Sequence, residues 1–158
     1  MKKNLRSLYA LVALLTLTGF GSAQQNLGGG RLDGTWDATI IITNCVTGAQ
    51  ITSFQSTANF HKGGTFTGIT SGMPPSLRSP EVGIWRHESG STYKFRFKAY
   101  QFNSAGAPIL FQIVTHTLQL GQAGDTYESS GGVNFYDMNG VQIGSGCSSG
   151  VGTRMTLD

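Results

Sequence analysis

Gly34-Thr35-Trp36-Asp37-Ala38-Thr39-Ile40-Ile41-Ile42-Thr43-Asn44-Cys45 is the stretch on which the reading of the fold turns. It is rich in β-branched residues, carries one Trp near its start and ends on a cysteine, which reads as a strand. Its counterpart lies at the far end of the chain, where the run Val141 to Arg154 carries Cys147 and Arg154. Antiparallel partners keep a nearly constant sum of positions. The pairs Trp36 with Arg154 and Cys45 with Cys147 differ in that sum by only two, a difference that one β-bulge absorbs. One register thus sets an aromatic beside a cation at one end and two cysteines together at the other. A first strand that pairs with the last closes a ring.

Between these ends the chain reads as strands and turns. The alternation is clearest at Tyr93-Lys94-Phe95-Arg96-Phe97-Lys98-Ala99, aromatic on one face and cationic on the other. Ile51 to His61, Thr65 to Ser71, Val82 to Glu88, Ile109 to Leu120 and Thr126 to Tyr136 complete the set. Lys62-Gly63-Gly64, Ser89-Gly90, Asn103 to Gly106, Gly121 to Asp125 and Asp137 to Gly140 supply the turns. No helical period follows residue 23. The expected fold is all-β, an eight-stranded antiparallel up-and-down closed barrel. A β-sandwich is the alternative, but an immunoglobulin-like sandwich wants a shorter Cys-to-Cys spacing and a Trp on an early core strand.

The Gly34-Thr35-Trp36 start, the near-terminal Arg154 and the eight-strand meander resemble the calycins, the lipocalin and avidin group. The resemblance covers the architecture of about residues 33 to 157. It implies that Trp36 and Arg154 pack together at the closed end of a lipocalin-like barrel, as structure. Only Met155 to Asp158 follow Arg154, which leaves no length for the helix that flanks a lipocalin barrel. The polar residues that avidins use for biotin have no match after Trp36, so the resemblance carries no ligand identity.

Residues 1–23 read as an export signal. Lys2, Lys3 and Arg6 form a basic start, Leu8 to Leu17 an apolar run, and Gly21-Ser22-Ala23 a small-residue cleavage site. Residues 24–32 are Gly- and Gln-rich and read as a flexible N-terminal segment, with a single barrel domain over 33–158. The signal holds three of the 11 Lys and Arg residues, so the rest balances the 8 Asp and Glu. The basic character of the whole chain therefore points neither to nucleic acid nor to an anionic membrane. A secreted or periplasmic location follows, and there two cysteines read as one disulfide, Cys45 to Cys147. Closing a loop of roughly 100 residues is worth about 4–5 kcal/mol in the chain-entropy model.

Large aromatics opposite Gly, Ala and Ser on neighbouring strands leave room for an interior cavity. Trp85, Tyr93, Phe95 and Phe97 are its expected apolar wall, with Phe111 a further candidate. His116 lies mid-strand in line with Val114 and Leu118 and is the best polar group for an apolar interior, as anchor, acid–base group or hydrogen-bonded structural residue. The strand Ile109 to Leu120 is apolar on both faces, which leaves its inward face open. The connection Gly72 to Glu81 holds Pro74, Pro75, Arg78 and Pro80 and reads as a lid, a recognition surface or a passive crossover. No metal-spaced histidine pair, nucleophile elbow or phosphate loop is present, so no metal or other cofactor is expected. Three functions fit: a carrier for a small, mainly apolar molecule, an isomerase or cyclase acting on an apolar substrate, and a protein-binding module such as a periplasmic protease inhibitor.

Overall fold

Alternation over most strands leaves them with one mainly apolar face, and those faces bury themselves by curling inward. A computed structural model describes residues 31–157. Its strands are β1 (Gly34–Thr43), β2 (Gln50–His61), β3 (Thr65–Thr70), β4 (Glu81–Ser89), β5 (Thr92–Phe102), β6 (Pro108–Leu120), β7 (Thr126–Tyr136) and β8 (Gln142–Arg154). Each is antiparallel to the next, and β8 returns to β1 to close the barrel in sequence order. Closure removes both sheet edges, which an open all-β sheet of this length would have to protect. The expected signal over residues 1–23 lies outside the described residues, as do residues 24–30.

The β1–β8 seam corrects one detail of the sequence reading. Trp36 pairs with Arg154 as expected, and the register then runs unbroken to Thr43 opposite Cys147. No bulge intervenes. β1 stops at Thr43, and Cys45 reaches Cys147 from the turn that follows. The disulfide forms with its Cα atoms 5.3 Å apart and closes a separation of 102 residues. Such a bond fits an oxidising, extracytoplasmic compartment.

The barrel is unequal along its axis. At the closed end Trp36, Phe60, Phe66, Trp85, Leu32 and Leu118 are fully buried. Phe60 is the hub, with ring centroids 5.2 Å from Phe66, 5.5 Å from Phe95 and 5.8 Å from Trp85. Burying each such ring stabilises the fold by about 1.5–3 kcal/mol. The indole N–H groups find carbonyls, Trp36 donating to Leu32 at 3.1 Å and Trp85 to His61 at 3.0 Å. Leu32 is thus part of the barrel floor, although it lies within the segment expected to be flexible. The guanidinium of Arg154 lies 4.3 Å from the Trp36 ring centroid.

Toward the open end several inward residues are small or polar, among them Ala38, Ser56, Ser129 and Ser148. The filled floor therefore gives way to a hollow.

Candidate functional site

The hollow is a cavity of about 210 Å³. A water molecule occupies about 30 Å³ of liquid, so this is well beyond a packing defect, though smaller than the roughly 300–1,000 Å³ usual for small-molecule pockets. Its wall is mainly apolar, with Phe54, Phe66, Phe95, Phe97, Val114 and Val133 the chief members.

The structure sorts the expected wall residues into three groups. Phe95, Phe97 and His116 line the cavity. Trp85 and Tyr93 face inward but belong to the filled floor, their rings 5.8 Å apart, and do not reach the hollow. Phe111 is on the outside. In β6 the inward positions are Gln112, Val114, His116, Leu118 and Leu120, which settles the open question of its face. Phe111 instead lies between Tyr100 and Tyr136 on the outer surface, with Lys98 Nζ 3.8 Å from its ring centroid. The reason is parity: Gln112 and Val114 face inward, so Phe111 faces outward, where the Lys98 ammonium stands over its ring.

His116 sits in the cavity wall with both ring nitrogens engaged. Nδ1 is 3.1 Å from Ser129 Oγ and Nε2 is 2.8 Å from Ser148 Oγ. Ser129 Oγ in turn donates to Gly150 O at 3.5 Å. That pattern fits Nδ1–H donating to Ser129 and the Ser148 hydroxyl donating to Nε2. Burial pulls the imidazole pKa down to about 4 from its ordinary 6.5, so the ring is neutral at pH 7. The sequence missed both serines. Each is an ordinary small residue on its strand, and only the register sets it beside His116.

A second polar group sits where the Pro-rich connection meets β4. Arg78 Nη2 donates to Glu81 Oε1 at 2.6 Å, with 10% and 6% of the two side chains exposed. Burial raises the Glu81 carboxyl above its ordinary range, and the Arg78 charge and hydrogen bond pull it only part of the way back. Both residues line the cavity. The connection is not free to swing. Its prolines seed a short 3₁₀ turn at Pro75–Leu77, Arg78 bridges to Gln101, and Ser79 N–H donates to Tyr100 O at 3.0 Å. Gly68, opposite Glu81, makes room for the carboxylate: a Cβ there would stand 2.7 Å from Glu81 Oε2. Gln101 and Gln112 complete this polar corner, the first donating to the second at 3.1 Å. Tyr127 lines the wall below, its phenol pushed far up by burial and by the Glu81 charge, and stays protonated.

Among the described residues no group of three His, Cys, Asp or Glu side chains is placed to hold a metal ion.

No family model matches the chain, and no curated protein does. One solved structure similar to it is that of Rv2717c from M. tuberculosis, at 11% identity and a TM-score of 0.40, covering 80% of this chain and 94% of that one. At that identity and score the likeness says nothing about the cavity, whose chemistry rests on this chain's own residues.

Proposed function

We propose that this protein is an extracytoplasmic binding barrel for a small, mainly apolar molecule, held in the open half of its interior. The observation that carries this reading is the cavity above a solid aromatic floor. Rings such as Phe95 and Phe97 give it an apolar wall, and two polar corners, His116 with its serines and Arg78 with Glu81, give it places to orient a ligand. Small-molecule sites combine these features: an apolar concavity with a few fixed polar groups. A protein-binding module would want the interior filled throughout, and the open half is not.

Naphthalene is a fitting probe, being neutral, rigid and free of hydrogen-bonding groups. Titrated into ¹⁵N,¹³C-labelled protein, it should shift the Val114 and Val133 methyl signals and leave Leu32 unmoved. Ala38→Phe, which extends a ring into the cavity from β1, should abolish the shifts while the barrel spectrum persists. Absence of saturable shifts at Val114 and Val133 in the wild-type protein would overturn the reading.

A barrel isomerase is favoured by one observation: two titratable groups with displaced pKa values, His116 and Glu81, line the same cavity. Against it, both nitrogens of His116 are spent on serines, and Glu81 is spent on Arg78. A substrate would have to displace one of these bonds before any proton could move.

A further inference from the structure

Arg78 is the most demanding polar group in the cavity wall. A guanidinium carries five N–H donors and no acceptor. Among the described residues, the only side-chain hydrogen bond of Arg78 is the one from Nη2 to Glu81, and buried Nε has no partner. Nine-tenths of the side chain is out of solvent, and the residue lines the cavity. Donors left unpaired in such a place are costly, the more so when charged. Nε itself has no surface open to the cavity, so an acceptor entering there would meet the Nη N–H groups of the same guanidinium.

Charge decides what kind of acceptor. The positive charge of Arg78 is already balanced by Glu81 at 2.6 Å. A ligand carboxylate at the same corner would leave two negative groups on one cation in a buried site, and one of them would stand uncompensated. Among the described residues that line the cavity, no other carries a positive charge. His116 is neutral at pH 7, and the remaining polar groups at this corner are the carboxamides of Gln101 and Gln112 and the phenol of Tyr127. A neutral oxygen acceptor takes a guanidinium N–H without disturbing this balance.

We infer that the ligand of this barrel is a neutral, mainly apolar molecule with a carbonyl oxygen at one end, held by Arg78 at the corner where the Pro-rich connection meets β4. This rests on the binding-barrel reading and names its ligand class. Arg78 is the selectivity residue, and Glu81 keeps the corner neutral. The Pro-rich connection then acts as the fixed mount of the donor. Its stitching to the end of β5 through Gln101 and Tyr100 holds the guanidinium in place before a ligand arrives.

The test compares 2-octanone, octanoate and octane at pH 7.5, three chains of one length, by NMR titration that follows Val114 methyls and the Arg78 Nε–H resonance. The expected result is that 2-octanone binds at least tenfold tighter than octane or octanoate and moves the Arg78 side-chain signal. Arg78→Lys keeps the charge but loses the planar fork, and should bring 2-octanone down to the affinity of octane. Should that variant not fold, Arg78→Gln with Glu81→Gln removes both charges together and serves the same purpose. If octane binds as tightly as 2-octanone, the inference fails and the binding barrel stands. If octanoate binds tightest, Arg78 recognises an anion and the neutral-ligand inference is overturned. If none of the three binds saturably, both the inference and the binding reading fall.

Discussion

His116 stands directly across the β6–β7 ladder from Gly131, and a Cβ on Gly131 would lie 2.6 Å from His116 Cδ2. The glycine thus vacates the space that the imidazole occupies. The ring is pressed instead toward Phe95, with centroids 5.4 Å apart, and held by Ser129 and Ser148. It is a neutral histidine by construction, because burial disfavours the imidazolium and no carboxylate is among its partners.

Acid should therefore weaken the fold in a defined window. The unfolded chain takes up a proton at His116 near pH 6.5, whereas the folded chain takes it up only near pH 4. The folded pKa is the lower one, so stability from this group is complete above pH 6.5 and is lost as pH falls toward 4. The loss amounts to about 3 kcal/mol from this group. Glu81 works in the opposite sense, because its raised pKa lets the folded state take up a proton first. The difference between wild type and His116→Gln isolates the histidine. Urea midpoints followed from pH 7 to pH 4 should fall more steeply for the wild type. Equal slopes would show that the imidazole titrates in the fold as it does in the unfolded chain.

Closure of the barrel was legible because it rests on patterns that survive in one sequence: period-two alternation, turn residues, and compatible positions of Trp36, Arg154, Cys45 and Cys147. The split between floor and hollow was less so. Alternation says that Trp85, Tyr93, Phe95 and Phe97 face inward, but not how far along the axis each one sits. The shear of a closed barrel determines that, and it placed two of the four in the floor. The side of Phe111 stayed open because β6 is apolar on both faces, so that only its partners Tyr100 and Tyr136 and the overlying Lys98 reveal its outward side. The Arg78–Glu81 pair was hidden for another reason. A charged residue beside a proline in a loop reads as solvated, and its burial depends on Gly68 of the neighbouring strand leaving space.

Arg154 should behave as the closed end's clamp. Besides facing Trp36, its guanidinium donates from Nε to Gly124 O at 2.8 Å, from Nη1 to Asp33 O and from Nη2 to Arg31 O. Lysine cannot match that fork, so Arg154→Lys should cost about 1–3 kcal/mol despite keeping the charge. Trp36→Ala, which empties the floor, should cost about 3–5 kcal/mol. Both would be read from denaturant midpoints. Because the cavity lies toward the other end, naphthalene affinity should stay within about twofold in Arg154→Lys at temperatures where the variant is folded. A large loss of binding with unchanged stability would place Arg154 in the ligand site and contradict its structural role.

The disulfide clamps the same seam at the opposite end. Cys147 pairs with Thr43 at the end of β1, and its neighbour Ser148 holds His116 from the cavity wall. Cutting the bond frees a loop of 102 residues in the unfolded chain and releases the turn after β1 in the folded one. The Cys45→Ser, Cys147→Ser double variant should lose about 2–5 kcal/mol. The folded-state effect should be local. Amide exchange ought to quicken at Ile41, Ile42 and Thr43, next to the open mouth, before it quickens at Trp36 and Ala38, which the floor still holds. Uniform acceleration along β1 would mean that the bond acts only through the unfolded chain. Peptide mapping of the wild-type protein under non-reducing conditions should find Cys45 joined to Cys147, and two free thiols there would remove the clamp altogether.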